Sequence, residues 1–322
     1  MITVIQVILI VSGLFVLLKG SDLVINGAVG IADSFRISPL VIGLTVVAIG
    51  TSAPEAAVSI MGVWKGTSSI AIGNIIGSNI TNIMLVLGLS AMITTLKVSD
   101  STVRIEVPYM IFVSVLFLAF SYGGGSISKA EGIVFCICFL IYIGYVFWRG
   151  KNGDQKREVS AIVEHQVESS ATQDKKLGKA FIEIVFGLVL VWVSSEMVVN
   201  SATTLAKSVG LTNRLIGLTV VALATSAPEL ITTVIAVRKR KAELAIGTIV
   251  GSNIFNLLFV ISAVAFLRPI SFDMEFLADI FVSIGAGVLL WLFTVRKKEL
   301  SQKAGFVMLL AYVAYVMFRV AA

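Results

Sequence analysis

Apolar stretches of about 20 residues recur down the whole chain, separated by short charged or glycine-rich breaks. That is the length a helix needs to cross the hydrocarbon of a bilayer. Ten stretches can be marked, at residues 3–25, 40–63, 70–95, 105–121, 130–148, 180–205, 215–237, 244–267, 275–295 and 303–319. The first lacks a basic start and a small-residue cleavage site and runs on into Ser21, Asp22 and Asn26, so it reads as a spanning helix and not as a signal peptide. The pattern predicts an all-α integral membrane protein with ten transmembrane helices.

An internal repeat organises those ten. GLTVVAIGTSAPEAAVS at 43–59 returns as GLTVVALATSAPELITT at 217–233, and GNIIGSNITNIMLVL at 73–87 returns as GTIVGSNIFNLLFVI at 247–261, both offset by 174 residues. The register extends to the first and sixth stretches, where Ser21, Asp22 and Asn26 align with Ser195, Glu196 and Asn200. Each half has five spans, an odd number, so the second copy must enter the membrane from the opposite side. The expected architecture is a 5+5 inverted-topology repeat: a first five-helix unit at 1–149, a cytoplasmic linker at 150–178 and a second unit at 179–322.

Composition agrees with a bilayer solvent: 322 residues, 57% apolar, 14% charged, mean hydropathy +0.99. When the breaks are assigned alternately to the two sides, 19 of the 25 Lys and Arg residues fall on one side and six on the other. The positive-inside rule then puts both termini outside the cytoplasm and the 150–178 loop within it, in a cell (plasma) membrane. The net charge of +6 is topological, and nucleic acid is excluded as a partner because the basic residues flank spans instead of forming one soluble face. Cys136 and Cys138 lie two apart on one helix and point apart, so they do not pair. His165 is the single histidine and cannot form a zinc site alone.

Glu55 and Glu229 each fall in the middle of an apolar span, where an ionisable group costs about 2.5 to 3.5 kcal/mol. The proline before each, Pro54 and Pro228, lacks an N–H and pushes its predecessor out of the helical region, which predicts broken helices 2 and 7. Carbonyls around Ala48–Thr51 and Ala222–Thr225 would be freed at membrane depth, tolerable only where they line a cavity or hold a cation. With the Thr and Ser hydroxyls, each break offers the all-oxygen set that hard cations such as Ca²⁺ and Na⁺ require. Ser78 and Asn82, like Ser252 and Asn256, are four apart and share a helix face, and Gly73-x-x-x-Gly77 and Gly247-x-x-x-Gly251 permit close backbone approach. The pseudo-two-fold brings Glu55 and Glu229 together, flanked by Asn82 and Asn256, at a formal charge of −2. One Ca²⁺ or two Na⁺ would neutralise it, so the two ions should compete.

A single Pro in a membrane helix is ordinarily a kink, and a single Ser or Asn a helix-to-helix hydrogen bond. Recurrence in register, with an Asn 27 residues after each Glu, argues for one site. Asp22 and Glu196, near span ends, read as interfacial or packing groups.

These motifs resemble the cation/calcium exchanger superfamily, whose two repeats carry G-T-S-x-P-E and G-S-N-x-x-[DN], and in particular its prokaryotic sodium/calcium exchanger branch. The resemblance covers nearly the whole chain. It implies Glu55 and Glu229 as the central Ca²⁺ carboxylates, with Thr51 and Thr225 giving backbone oxygen, and Asn82 and Asn256 flanking them. It also implies two peripheral Na⁺ sites, one from Ala48, Thr51, Ser52 and Ser78 with Glu55, the other from Ala222, Thr225, Ser226 and Ser252 with Glu229. Ca²⁺ and Na⁺ are then the transported ions, no cofactor is expected, and the protein is not an enzyme.

Two departures stand out. Asn256 occupies a position that is Asp in many relatives, leaving two acidic groups instead of three, which argues against potassium co-transport. Ala224 replaces the usual Gly before Thr225, where the first repeat has Gly50. The implied function is a sodium/calcium antiporter that extrudes Ca²⁺ in exchange for Na⁺ by alternating access. A proton-coupled calcium/cation antiporter is the alternative, disfavoured by Asn at 82 and 256. An enzyme would need a nucleophile with its base at membrane depth, and no His and no Ser/Lys pair lies there.

Overall fold

The structure is a computed structural model that describes residues 2–35, 37–64, 66, 68–124, 126–152, 170–208, 221–271 and 274–321. His165, residues 153–169 of the predicted linker and the start of the seventh predicted span, 215–220, lie outside these.

The described chain is almost entirely helical. A long first helix, α1 (Ile2–Phe35), is followed by a broken one: α2 (Pro39–Ile42), a π-helical turn at Gly43–Val47, α3 (Ala48–Thr51) and α4 (Ala53–Trp64). Next come α5 (Ser68–Ile80), continued through a π segment into α6 (Gly88–Ile93), then α7 (Val107–Gly124) and α8 (Lys129–Asn152). The remainder begins with α9 (Ser170–Ser208), α10 (Ala222–Thr225), α11 (Ala227–Arg238) and α12 (Ala242–Phe255). It ends with α13 (Ile261–Leu267), α14 (Leu277–Thr294) and α15 (Gln302–Ala321).

Among the described residues, seven helices are long and apolar enough to cross a membrane, and the bent pair Pro39–Thr51 and Ala53–Trp64 makes an eighth. Of the other two predicted spans, 215–237 begins outside the described residues. The last, α15, is helical throughout, but its described length carries Gln302 and Lys303 at one end and Arg319 at the other. Several helices overrun their predicted bounds: α1 continues to Phe35, while α8 and α9 enter the 150–178 stretch from either side. Hydropathy marks where a helix leaves the hydrocarbon, not where its hydrogen bonds stop.

The centre is formed by the spans Ser68–Ile93 and Ala242–Leu267, whose most apolar windows are 89% and 83% buried, against 22% for Lys129–Gly150 at the periphery. The central helices are polar where they are most buried, the reverse of a soluble fold, because apolar side chains lose nothing by facing lipid. Close approach depends on glycine. A methyl group on Gly247 would lie 2.8 Å from the Leu40 carbonyl oxygen, and one on Gly251 2.7 Å from that of Leu44, so α12 packs backbone to backbone on the broken helix, as its glycine spacing predicted. On the outer side α1 and α9 pack along their lengths, with Gly20 and Gly187 in mutual contact.

Two features are not foreshadowed by the hydropathy pattern. Four two-residue strands pair antiparallel: β1 (Leu96–Lys97) with β4 (Glu299–Leu300), and β2 (Ser126–Ile127) with β3 (Ile270–Ser271). They join connections of the first half to connections of the second. In addition, Tyr-x-x-Tyr-Val-x-x-Arg occurs at 142–149 and again at 312–319. Arg149 and Tyr145 bind the buried Glu106 at 2.8 and 3.3 Å. Arg319 and Tyr315 bind the buried Asp279, the latter at 2.9 Å. Each arginine neutralises a carboxylate that would otherwise be costly at that depth.

Candidate cation site

Each half contributes the same local device. Ser52 (φ −85°, ψ 5°) and Ser226 (φ −79°, ψ 2°) leave the helical region one residue before α4 and α11 begin, and Pro54 and Pro228 sit in the first turns that follow. The first break bends its span by 43°. Glu55 and Glu229 therefore lie in the first turns of α4 and α11, where the helix dipole favours negative charge. Both are fully buried.

The expectation of bare carbonyls needs revision. The Ala48 oxygen accepts the Ser52 N–H at 3.0 Å and faces the Thr51 hydroxyl at 3.4 Å, and that of Ala222 accepts the Ser226 N–H at 3.0 Å and faces the Thr225 hydroxyl at 3.2 Å, so neither of these two is bare. The Ser252 hydroxyl already approaches the Ala48 oxygen at 3.4 Å.

The hydroxyls cross between halves. Ser52 of the first repeat donates to Glu229 at 2.7 Å, and Ser226 of the second donates to Glu55 at 3.3 Å. Ser252 also reaches Glu229 at 3.4 Å, while Ser78 meets the Thr225 hydroxyl at 3.3 Å. The two peripheral groups are thus mixed in origin. Ala48, Ser52 and Ser252 gather with Glu229, and Ser78, Thr225 and Ser226 gather with Glu55, in place of the within-repeat grouping that the resemblance implies. Thr51 bonds its own helix at Val47 and Ala48, at 3.0 and 3.4 Å.

Asn82 is the second residue of the π-helical segment Thr81–Leu87 and Asn256 the first of Asn256–Val260, wide turns that no sequence signal announced. Their amide nitrogens are held reciprocally: Asn82 donates to the side-chain oxygen of Asn253 at 3.1 Å, and Asn256 to that of Asn79 at 3.3 Å. Asn79 and Asn253 in turn donate to each other's main-chain carbonyls, at 3.4 and 3.1 Å. With its nitrogen so fixed, each flanking Asn presents its oxygen. Asn79 and Asn253 are additions to the site residues expected from sequence, although both lie in the duplicated Gly-Ser-Asn. Asn74 is another.

Among the described residues, four buried side-chain oxygens have no hydrogen-bond partner here: one each from Glu55, Glu229, Asn82 and Asn256. Buried polar atoms are nearly always satisfied, so four acceptors left open together are suited to a cation. With both carboxylates ionised the centre carries a charge of −2, which one divalent ion would cancel. Among the described residues no cluster of three or more His, Cys, Asp or Glu occurs, so the donor set is oxygen with only two charges. That chemistry favours hard cations over zinc or copper.

A helical membrane protein with an oxygen-lined, doubly acidic centre assembled from two duplicated breaks has the make-up of an ion transporter. The comparisons identify which kind. The family model described as "Sodium/calcium exchanger protein" matches residues 5–148 and 179–321, and the chain belongs to that family. It is 35% identical to the "Putative antiporter CaxA" of Alkalimonas amylolytica over 96% of each chain. It is 31% identical to the "Sodium/calcium exchanger MaX1" of Methanosarcina acetivorans over 98% of each. Among solved structures, the sodium-calcium exchanger NCX_Mj soaked with Na⁺ and Sr²⁺ superposes with a TM-score of 0.80 at 28% identity, covering 98% of both chains. The protein is therefore an exchanger-type membrane transporter of the prokaryotic cation/calcium exchanger family.

Proposed function

We propose that this chain is a sodium/calcium antiporter that extrudes Ca²⁺ in exchange for Na⁺ by alternating access. The observation that carries the reading is the set of four unpartnered oxygens on Glu55, Glu229, Asn82 and Asn256. Two carboxylates and two amides supply two negative charges and at least four hard donors, which Ca²⁺ satisfies alone. The hydroxyl groups beside each carboxylate supply smaller oxygen sets for Na⁺. Since those sets share Glu55 and Glu229 with the centre, the two ions compete and cannot fill the site together.

The architecture proposed is the inverted 5+5 arrangement of ten spans, with the 150–178 stretch as cytoplasmic linker and both termini outside the cell membrane. Spans 1 and 6 with their neighbours move against the helices that bear the site. Each net charge carried gains about 2.3 kcal/mol per 100 mV of membrane potential.

The test is ⁴⁵Ca²⁺ uptake into proteoliposomes preloaded with Na⁺, compared with K⁺ loading and with an imposed pH gradient. Uptake is expected only against Na⁺. Uptake that follows the pH gradient and ignores Na⁺ overturns the reading in favour of proton coupling.

A further inference from the structure

Asn74 is fully buried on α5 and spans the two repeats. Its amide nitrogen donates to the main-chain oxygen of Glu55 at 3.1 Å and to the Ser59 hydroxyl at 3.0 Å. Its amide oxygen accepts the Thr225 hydroxyl at 3.0 Å, closer than the 3.2 Å from that hydroxyl to Ala222 O. The repeat supplies no equivalent. The residue 174 positions on is Thr248, which among the described residues bonds its own helix, at Leu244 O and 2.8 Å. Thr233, the counterpart of Ser59, has no side-chain partner among the described residues.

The consequence lies in where hydroxyl protons go. A hydroxyl has one proton. Thr225 gives its proton to Asn74, so in the 3.3 Å contact with Ser78 it is Ser78 that donates. Both Ser78 lone pairs are then open. On the other side Ser52 and Ser252 both bear on one oxygen of Glu229, at 2.7 and 3.4 Å, and an entering ion must compete with them for it. A site whose donors are already arranged loses less on binding.

We propose that Asn74 is a positioning residue that presets the Thr225–Ser78 pair and makes the Glu55 half of the site the half that binds Na⁺ more tightly. The inference rests on the exchanger reading but is tested separately from it. Asn74→Thr copies the second repeat into the first, and Thr225→Val removes the same hydrogen bond from its other end. For purified wild type and both variants, the Na⁺ and Ca²⁺ concentrations giving half-maximal thermal stabilisation are measured alongside transport.

Each variant is expected to raise the Na⁺ value about three- to ten-fold, the scale of one buried hydrogen bond, and to move the Ca²⁺ value by a smaller factor. The double variant should shift no further than the larger single one. Equal shifts for the two ions indicate a general loosening and overturn the proposal, as does an unchanged Na⁺ value or a wild type that Na⁺ does not stabilise. If Asn74→Thr does not fold, Thr225→Val decides the question by the same two measurements. A wild type that binds Na⁺ but moves no Ca²⁺ ends the exchanger reading and leaves this comparison intact.

Discussion

Glu55 and Glu229 occupy equivalent places in two copies of one sequence, yet their surroundings differ. Glu229 accepts Ser52 at 2.7 Å and Ser252 at 3.4 Å, whereas Glu55 accepts Ser226 at 3.3 Å and has the Asn74–Thr225 link beside it. Duplication fixed the backbone device, a helix broken at Ser-Ala-Pro-Glu. Positions behind the site then diverged: Asn74 against Thr248, Ser59 against Thr233, Val58 against Thr232. Two identical half-sites could offer cations only one affinity. Unequal ones let a shared pair of carboxylates hold ions of different charge at different strengths.

The strongest way to break the comparison is to remove either charge. Glu55→Gln and Glu229→Gln are each expected to abolish Ca²⁺ transport in proteoliposomes while leaving folded protein. Each should also lose stabilisation by Ca²⁺. A Gln variant that transports normally would remove its carboxylate from the site.

The serines sharpen it next. A hydrogen bond to a charged group is worth about 1.5 to 3 kcal/mol, and the 2.7 Å contact is the stronger of the two. Ser52→Ala should therefore lower thermal stability in ion-free buffer more than Ser226→Ala does, read as unfolding midpoints. Equal effects would mean that the difference between 2.7 and 3.3 Å carries no energy.

Much of this was legible beforehand because membrane sequences are unusually explicit. The spans follow from hydropathy, and a carboxylate after a proline inside one is hard to explain without a cation. Repetition at 174 residues singles out Glu55, Glu229, Asn82 and Asn256 without any geometry. Partnership was not legible, since a repeat shows which residues are equivalent and not which copy each one faces. Hence Ser52 groups with Glu55 by sequence although it bonds Glu229. Asn74 was hidden by the same logic: a search for matching positions discards the ones that differ. The arginine clamps escape the repeat because their offset is 170 residues and not 174.

A smaller effect comes from the outer contacts, where the halves differ again. The Ser21 hydroxyl meets that of Thr232 at 3.1 Å, and Lys239 reaches Asp22 and Asn26 on α1, the latter at 2.6 Å. Ser195, the repeat partner of Ser21, has no hydrogen-bond partner among the described residues, and Val58 stands where Thr232 would be needed. Asp22 is thus part of an interhelical tie, in line with the packing role expected of it. Thr232→Val should cost about 1 kcal/mol in thermal or denaturant unfolding, because it leaves Ser21 buried and unpaired. Val58→Thr should cost less or stabilise. If the two substitutions cost the same, the asymmetry at α1 and α9 has no energetic content.

The smallest effect belongs to the connections. The β1–β4 join carries an exposed ion pair, Asp100 with Lys298 at 2.6 Å, reinforced by Arg104 at 3.1 Å. The Lys298 ammonium holds the Asp100 carboxyl below its ordinary value, with the Arg104 charge acting the same way. A lowered carboxylate pKa stabilises the folded state above the ordinary Asp value of about 3.9, and that contribution is lost as pH falls through the lowered value. Asp100→Asn should therefore unfold slightly earlier than wild type at pH 7, by less than Thr232→Val. The gap should close as pH falls below about 4, and should also narrow at 1 M salt, which shortens screening to about 3 Å. The β2–β3 join offers the contrast. Its paired residues, Ser126, Ile127, Ile270 and Ser271, bear no charge, so Ser126→Ala should show no such pH dependence. A gap for Asp100→Asn that persists unchanged at low pH would mean that the charge of Asp100 does not account for it.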